Sequence, residues 1–354
     1  MEILTVNLEK NKYDIIIHHG LIKQIGIKLK ELYFGKKVFV VTDENVDRLY
    51  GTIVMQSLSD AGFSAGKIVL PAGEKTKDIK NISVIYKSML AFGLMRDEML
   101  IALGGGVIGD IAGFCASTFL RGIPFIQVPT TLLAQVDSSV GGKVAVDLDE
   151  GKNLVGSFYQ PKAVLIDPDV LDSLCDAFFY DGLGEVLKYA LIGDNVLYSL
   201  LWRNTTRADI MRNIETVIFR SCDYKRGIVE QDERDTGKRM LLNFGHTIGH
   251  CIEQYYGYEK YSHGQAVVIG MALMTRISEH IGITQSGTAA EVLSFLSAHG
   301  LQVQLELPLR TYLGALKHDK KNIGGSLNIV VLEKICSAKV IQAPELFYKA
   351  VEEM

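Results

Sequence analysis

The chain has 354 residues and a formal net charge of −4, with acidic and basic residues interspersed. This length predicts two domains, because a single hydrophobic core seldom grows so large. The charge balance argues against nucleic acid or an anionic membrane as a partner, and no apolar run is long enough to cross a bilayer.

Two further features of the sequence predict a cytoplasmic protein. The N-terminus lacks the basic start and the continuous apolar run of a signal peptide. The cysteines are odd in number and form no CxxC pair, which is typical of reduced thiols; they are Cys115, Cys175, Cys222, Cys251 and Cys336.

The first half of the chain predicts an α/β domain. Short β-branched runs alternate with amphipathic stretches, which is typical of βαβ units and a largely parallel sheet. The run at 13–18 is predicted as an additional strand, for which an antiparallel direction is considered. The predicted strands of the parallel winding lie at 37–42, 67–70, 99–103, 125–128 and 163–167.

The second half of the chain predicts a helical domain. No proline occurs between Pro168 and Pro308, and the segments at 186–191 and 214–218 keep the apolar spacing of helices. Since proline costs about 3 kcal/mol inside a helix, its absence over this stretch favours helices. We place the boundary near 170–180 and divide the chain into 1–175 and 176–354.

A glycine-rich turn predicts a nucleotide site. The segment 104–110 follows a predicted strand and leads into the apolar segment 111–114. At such a turn, backbone N–H groups and the helix N-terminus favour a pyrophosphate, although the GxGxxG register of dehydrogenases is absent. Polar loops at 42–43, 73–77 and 129–131 follow other predicted strands and are expected at the same sheet edge.

Two Gly-Lys steps, at 142–143 and 151–152, predict contacts with an anionic ligand. They lie in polar stretches at 134–147 and 151–156, which we interpret as loops. Glycine next to lysine lets the ammonium group approach a phosphate or carboxylate. Two solvated surface turns are the alternative, and the nearby glycine-rich turn favours the ligand site.

Three histidines, His246, His250 and His263, lie within an otherwise apolar segment flanked by glycines. Imidazole is the commonest side-chain metal ligand. His246 and His250 are four residues apart, so both can face one point from the same side of a helix. The spacing alone therefore pairs these two as ligands; the alternative is that each histidine is a hydrogen-bonded core residue or an exposed one.

The motifs together resemble those of the 3-dehydroquinate synthase family over nearly the whole chain. The matching segments are GEKTK (73–77), GGGVIGD (104–110), RG (121–122), VPTT (128–131), QVDSSVGGK (135–143), GKNLVG (151–156), GEVLKY (184–189), LNFGHTIGH (242–250), SHG (262–264) and DKK (319–321). The resemblance implies an NAD-binding α/β domain over 1–175 and a mostly helical metal- and substrate-binding domain over 176–354. It also implies an active site in the cleft between them and a homodimer.

The family's reaction converts 3-deoxy-D-arabino-heptulosonate 7-phosphate, a small sugar-acid phosphate, into 3-dehydroquinate and phosphate in the shikimate pathway. NAD takes a hydride from the substrate alcohol, phosphate leaves by β-elimination, the ketone is re-reduced and an aldol step closes the ring. NAD is regenerated in each turnover. The resemblance thus implies a lyase of aromatic amino acid biosynthesis that depends on NAD and a metal.

The resemblance also implies a role for each site residue. The metal, typically zinc with cobalt as an alternative, would be bound by Glu185, His246 and His263, while His250 would contact substrate. The other substrate residues would be Arg121, Lys143, Lys152, Asn153, Lys188, Lys225, Arg239, Asn243 and either Lys320 or Lys321. NAD would contact Asp43, Glu74, Lys77, Gly105, Gly106, Asp110, Thr130, Thr131, Asp137, Lys152, Ser173 and Leu174.

The chain departs from the family pattern in three places. Ala177-Phe178 replaces the usual Arg-Glu pair before the Gly of the metal-ligand helix, Asp147 replaces an Asn, and Gln265 replaces a Glu. All implied ligand positions are retained.

Three other functions remain as alternatives. Another sugar phosphate cyclase, of the 2-deoxy-scyllo-inosose or valiolone type, would change the substrate. A metal-dependent polyol dehydrogenase would release NADH. A noncatalytic nucleotide-binding subunit would be favoured by the loss of a metal ligand.

Overall fold

The computed structural model describes residues 1–9, 11–312 and 327–353. The chain divides into two compact units, Met1–Phe179 and Tyr180–Met354. The structural division therefore falls four residues after the boundary drawn from the sequence, within the helix that carries Glu185.

The first unit contains a seven-stranded sheet and a separate hairpin among its described residues. Its strands are β1 (Glu2–Asn7), β2 (Lys12–Ile17), β3 (Lys37–Asp43), β4 (Ser64–Leu70), β5 (Met99–Gly104), β6 (Phe125–Pro129), β7 (Lys143–Leu148), β8 (Gly151–Phe158) and β9 (Ala163–Ile166). Its helices are α1 (Ile25–Leu32), α2 (Glu44–Val46), α3 (Thr52–Asp60), α4 (Ile79–Phe92) and α5 (Gly106–Thr118), and α6 (Asp176–Ile192) continues into the second unit.

The sheet has the order β1-β2-β9-β6-β5-β3-β4, and every pairing except β1 with β2 is parallel. The expectation of a largely parallel sheet is therefore confirmed. The antiparallel direction considered for 13–18 is wrong relative to the main sheet, because β2 runs parallel to β9. The antiparallel strand is β1, an edge strand that the sequence analysis did not predict.

The inner strands are apolar because helices cover both faces of the sheet. All residues of β5, β6 and β9 are buried. Ile25 of α1 and Leu58 of α3 pack on one face, and Ile85 of α4 and Ile111 of α5 contribute to the core on the other. Strands buried on both faces show continuous apolar runs rather than alternation, as parallel sheets require.

The chain reverses its direction of winding between β3 and β5. From β3 it continues to the edge strand β4, whereas from β5 it continues to β6 on the other side. Ligands of open α/β sheets bind outside the carboxyl ends of the strands at this kind of switch point. Asp43 ends β3 and Gly104 ends β5, so the topology places a ligand site at these residues.

The second stretch interpreted as a loop, 151–156, is part of a strand. β7 and β8 form an antiparallel hairpin, with Lys143 as the first residue of β7 and Lys152 as the second of β8. In the other stretch interpreted as a loop, 134–147, residues 134–138 form a short helical segment and residues 143–147 belong to β7, so the interpretation is wrong for both parts. Backbone pairing between the two polar segments outweighs their turn-like composition.

The second unit is mostly helical, as expected. Its described elements are α7 (Asn195–Arg203), α8 (Arg207–Arg212), α9 (Ile214–Val229), α10 (His246–Tyr255), α11 (His263–His280), α12 (Thr288–Ala298), the hairpin of β10 (Asn328–Lys334) and β11 (Ser337–Gln342), and α13 (Glu345–Glu353). In the parts of the chain that the structure describes, none of the helices combines the length and the apolarity needed to span a bilayer.

Asp167, the residue after β9, links the segment that follows β2 to the segment that follows β9. It is 2% exposed. Its Oδ1 accepts hydrogen bonds from the N–H groups of Gly20 and Asp169, both at 3.0 Å, and its Oδ2 accepts one from Ile22 at 2.8 Å.

We expect Asp167→Ala to destabilise the protein by about 2–4 kcal/mol, because it removes the acceptor of three backbone N–H groups, of which that of Ile22 is buried. Asp169→Ala is the matched control: it removes an exposed ion pair with His19 and should change stability by less than about 1 kcal/mol. Thermal and urea unfolding would measure both, and equal stability of the two variants would contradict the role of Asp167.

Candidate active site

Three helices of the second unit bring Glu185, His246 and His263 to one point. Glu185 lies on α6, and the histidines are the first residues of α10 and α11. Glu185 Oε1 lies 3.6 Å from His246 Nε2 and 3.5 Å from His263 Nε2. One ligand atom from each residue falls within 4.8 Å of the other two, which is the geometry of a site for one cation.

The helices approach closely because glycines stand next to the ligands. A Cβ on Gly264, beside His263, would lie 2.0 Å from the carbonyl oxygen of Asp181 on α6. A Cβ on Gly249, within α10, would lie 3.1 Å from backbone atoms of Ala266 on α11. Any larger residue at Gly264 would push α11 away from α6 and separate the ligands.

The other ring nitrogen of each histidine faces an acceptor. His246 Nδ1 lies 3.2 Å from the carbonyl oxygen of Phe244, and His263 Nδ1 lies 3.4 Å from Glu253 Oε1. A carbonyl and a carboxylate only accept hydrogen bonds, so each Nδ1 carries the hydrogen. Each Nε2 is then the nitrogen that faces Glu185 and would bind a metal, which is the arrangement of metal-bound histidines.

The charges at this point favour a bound cation. Glu185 is completely buried, its Oε2 pairs with Lys188 one helical turn on, and its Oε1 has no hydrogen bond of ordinary length within the described residues. Burial alone would raise the pKa of Glu185, but Lys188 and the two histidines hold that pKa well below its usual range. The carboxylate is therefore ionised at neutral pH, although it is buried.

The two histidines differ in protonation when no metal is bound. Burial, together with Lys188, lowers the pKa of His246 well below its usual value. Burial also acts to lower the pKa of His263, but its contacts with Glu185 and Glu253 outweigh burial and raise that pKa to about 10. A cation at this point would displace the proton from His263 Nε2.

His250 is exposed one turn along α10 from His246, and the two ring centroids are 5.4 Å apart. Spacing alone paired His246 with His250, whereas the structure groups His246 with Glu185 and His263. Donor atoms of His250, Glu253 and His263 form a second group within 4.8 Å, so His263 belongs to both. The assignment of the metal to the Glu185 group stays a prediction.

A cavity of about 240 Å³ lies beside His246 and His250. Its polar lining includes Asn243, and its remaining lining residues are Met240, Thr247, Cys251, Gln254, Leu327, Asn328, Val330 and Val340. Lys188, Lys225 and Arg239 are buried in the same unit. Lys320 and Lys321 lie outside the described residues.

In the first unit, Gly105 and Gly106 form the turn into α5 at the switch point of the sheet. A Cβ on Gly105 would lie 3.0 Å from Thr131 Cγ2, and one on Gly106 would lie 3.1 Å from Ser138 Oγ. Thr130 Oγ1 and Ser138 Oγ are buried and have no hydrogen-bond partner within the described residues. These hydroxyls are therefore available to hydrogen-bond a water molecule or a polar ligand beside the turn.

Lys77 connects the polar segments around this turn. Its ammonium group bonds to Asp110 on α5 and to Asn153 on β8. Burial acts to lower the pKa of Lys77, but Asp110 outweighs it and raises that pKa. Nearby, Lys152 Nζ lies 3.5 Å from Glu74 Oε1. The structure thus brings together five of the residues implied for cofactor or substrate.

Asp43, Ser173 and Leu174 have structural roles in the first unit. Asp43 Oδ1 caps α2 by accepting the N–H groups of Asn45 and Val46 at 3.0 and 3.1 Å. Ser173 Oγ lies 2.6 Å from the hydroxyl of Tyr50, and the N–H of Leu174 bonds to the carbonyl of Leu171. Asp137 lies in the short helical segment Ala134–Ser138 before the hairpin.

Arg121 is distant from the glycine turn. It is exposed beyond the C-terminal end of α5, whereas Gly105 and Gly106 are at the N-terminal end. Leu120, Arg121 and Gly122 all have positive φ angles, of 48°, 69° and 110°. Backbone strain at two non-glycine residues in succession is typical of functional loops.

The sequence did not predict two residues beside the group formed by Glu185, His246 and His263. Glu253 contacts His263, and Asp181 Oδ1 accepts the N–H of Gly264 at 2.6 Å and so links α6 to the start of α11. Glu253 lies one helical turn after His250, and this spacing of an acid from a histidine was the available signal. Asp181 precedes Glu185 by four residues, one helical turn, without any comparable signal.

The three departures from the family pattern keep the local structure. Gln265 completes a capping box with Ser262 at the start of α11, a role that Gln and Glu share. Asp147 Oδ1 accepts the N–H of Asn153 at 2.8 Å, which an asparagine oxygen would also do. Ala177 and Phe178 are exposed at the start of α6, two turns before Glu185.

Residues 67–181 match the family model described as 3-dehydroquinate synthase N-terminal, and residues 182–322 match that described as 3-dehydroquinate synthase C-terminal. The 3-dehydroquinate synthase of Clostridium botulinum is 52% identical over 95% of this chain and 96% of its own length. That of Clostridium kluyveri is 46% identical over 98% of both chains.

Two solved structures share the fold. A 2-deoxy-scyllo-inosose synthase complexed with carbaglucose-6-phosphate, NAD+ and Co2+ has a TM-score of 0.88 at 22% identity and covers 99% of this chain and 100% of its own. The 2-epi-5-epi-valiolone synthase of Streptomyces hygroscopicus with NAD+ and Zn2+ bound has a TM-score of 0.85 at 26% identity, with 98% and 96% covered.

We expect Gly264→Ala to destabilise the protein by about 1–3 kcal/mol and to lower its capacity for zinc, because the new Cβ displaces α11 from α6. Gly227→Ala is the matched control. Gly227 lies within α9, nothing stands within 4 Å of its Cβ position, and alanine there should stabilise the helix by about 0.5–1 kcal/mol. Thermal unfolding and zinc content measure both effects; a Gly264→Ala protein with normal zinc binding would show that the close approach is unnecessary.

Proposed function

Since the chain belongs to the 3-dehydroquinate synthase family, we propose that it converts 3-deoxy-D-arabino-heptulosonate 7-phosphate into 3-dehydroquinate and phosphate. The observation that carries this proposal is the convergence of Glu185, His246 and His263, with both Nε2 atoms directed at one buried carboxylate oxygen. The small net charge and the scattered cysteines support a small-molecule substrate and a cytoplasmic location.

The residues at this point fit a divalent metal. Two imidazole nitrogens and one carboxylate oxygen are the donors that zinc prefers, and three protein ligands leave positions for substrate oxygens. A metal bound by these residues would act as a Lewis acid toward a substrate oxygen. Lys188 pairs with the other oxygen of Glu185 and so keeps this carboxylate fixed and ionised.

The turn into α5 fits a dinucleotide. The N–H groups at the start of this 13-residue helix provide a pyrophosphate site, with the buried hydroxyls of Thr130 and Ser138 as further donors. NAD would accept and return the hydride. Asp43 caps α2 through Oδ1 alone, so its second oxygen remains to accept ribose hydroxyls.

The remaining polar residues would position the substrate. Asn243 and His250 line the cavity beside His246, where a hydrogen-bonding and a basic side chain would orient hydroxyl or acid groups. In the first unit, Lys77 holds Asn153 on β8 in place, and Glu74 lies beside Lys152. These contacts pre-organise an amide and an ammonium group for an anionic ligand.

The position of Arg121 supports a homodimer. Helix α5 has 13 residues and so separates Arg121 from Gly106 by roughly 20 Å. Arg121 adjoins Gly122, whose Cβ position is 3.3 Å from the hydroxyl of Tyr159. Tyr159 directly follows β8 and is six residues from Asn153, which corresponds to roughly 20 Å along an extended chain. An arginine side chain cannot span this distance, so Arg121 would contact ligand bound to a second copy of the chain.

The reaction is tested by incubating the protein with the heptulosonate phosphate, NAD and zinc. We expect release of phosphate together with dehydroquinate and no net NADH; accumulation of NADH with a polyol would indicate a dehydrogenase instead. His246→Ala should lose bound zinc and lower turnover by at least about 1,000-fold. His280→Ala, exposed at the other end of α11, is the control and should keep both. A His246→Ala protein that turns over without metal would refute the proposed site.

The contribution of Arg121 across the dimer is tested by complementation. Arg121→Ala and His246→Ala should each be inactive alone, whereas a purified heterodimer of the two should recover about half of the activity, because one of its two sites has both residues. Differently tagged subunits allow its isolation. If Arg121 acts within its own chain, both sites of the heterodimer are damaged and it remains inactive.

A further inference from the structure

Glu253 is a buried acid in an unfavourable position. It lies in the last turn of α10 and is 5% exposed. A negative charge near a helix C-terminus is opposed by the helix dipole, and burial adds the cost of removing a carboxylate from water. A residue under both penalties needs a compensating partner, and its Oε1 lies 3.4 Å from His263 Nδ1.

We propose that Glu253 is a positioning residue that orients His263 for metal binding. This inference rests on the proposed metal site. The carboxylate faces Nδ1 and keeps a hydrogen on that nitrogen, so Nε2, which lies 3.5 Å from Glu185 Oε1, is the nitrogen that exchanges its proton for a metal. The same contact prevents the ring from rotating away from this point.

The rings of His246 and His263 are oriented by different hydrogen-bond acceptors, because the two residues lie in different surroundings. His246 follows the buried Phe244 by two residues, and the carbonyl of Phe244 orients its ring from the same segment of chain. His263 begins α11 and its side chain is one-third exposed, so its ring has more freedom. The anchor for His263 comes from a second helix, α10, which packs against α11 through Gly249.

A second cation on His250, Glu253 and His263 is the competing explanation of this cluster. His263 would then have to bind one cation through Nε2 and another through Nδ1, which requires a fully deprotonated ring. A carboxylate already placed at Nδ1 keeps the hydrogen there. The geometry therefore favours the positioning role over a two-metal centre.

The test compares Glu253→Ala, Glu253→Gln and Glu253→Asp with the control Glu259→Gln, an exposed acid just beyond the same helix. Zinc affinity is measured by competition with a chelator, and site geometry by the visible absorption of the cobalt-loaded protein. We expect Glu253→Ala to weaken zinc binding by roughly 10–100-fold and to alter the cobalt spectrum. Glu253→Gln should retain most of the affinity, because its amide oxygen still accepts the Nδ1 hydrogen.

Glu253→Asp keeps the charge, but its side chain is shorter by one methylene, so the carboxylate lies farther from His263 Nδ1. We therefore expect this variant to bind zinc more weakly than Glu253→Gln does. If Glu253→Ala does not fold, the zinc affinities of Glu253→Gln and Glu253→Asp still test the positioning role. Wild-type affinity in Glu253→Ala, or an Asp variant that binds better than the Gln variant, would overturn the inference. So would two zinc ions per wild-type chain that fall to one in Glu253→Ala. A wild-type protein that binds no zinc would instead overturn the proposed function.

Discussion

The close packing of α6, α10 and α11 is the constraint on which the candidate metal site depends. Three ligands from three helices meet only if the backbones approach within the space that a Cβ would fill, and Gly264 and Gly249 leave that space open. Once the helices are in contact, a buried carboxylate faces two imidazole nitrogens. The cost of burying Glu185 is offset by Lys188 and by the polarity of the histidines, and a cation would complete that compensation.

The first unit would bind an anionic ligand at the edge of its buried sheet. The reversal of winding between β3 and β5 opens a crevice at the carboxyl ends of these strands, and the α5 N-terminus points partial positive charge at it. Lys77 then ties α5 to the β7–β8 hairpin through Asp110 and Asn153. The polar groups that would hold a ligand are thus fixed to one another before it binds.

Identity and fold are supported by different kinds of similarity. Relatives at 46–52% identity over nearly the whole chain share the family, whereas the solved cyclase at 22% identity shares the architecture alone. A fold of this type supports several sugar phosphate chemistries, so the site and not the fold selects the substrate. In this chain the residues around His246 and His250, and those of the hairpin that carries Lys152 and Asn153, would make that selection.

The amino-acid sequence by itself determined the two kinds of domain and the parallel strands through local periodicity, and the glycine-rich turn through a short motif. The metal-ligand candidates Glu185, His246 and His263 followed from the family resemblance, because spacing alone paired His246 with His250. Tertiary structure decided which residues from distant segments come into contact, because local spacing carries no information about such contacts. His246 and His250 share a helix face, yet His246 meets His263 and Glu185 because three helices pack closely. The β7–β8 hairpin and the anchor from Glu253 to His263 likewise arise from contacts between segments, whose energies depend on neighbours that no window of sequence contains.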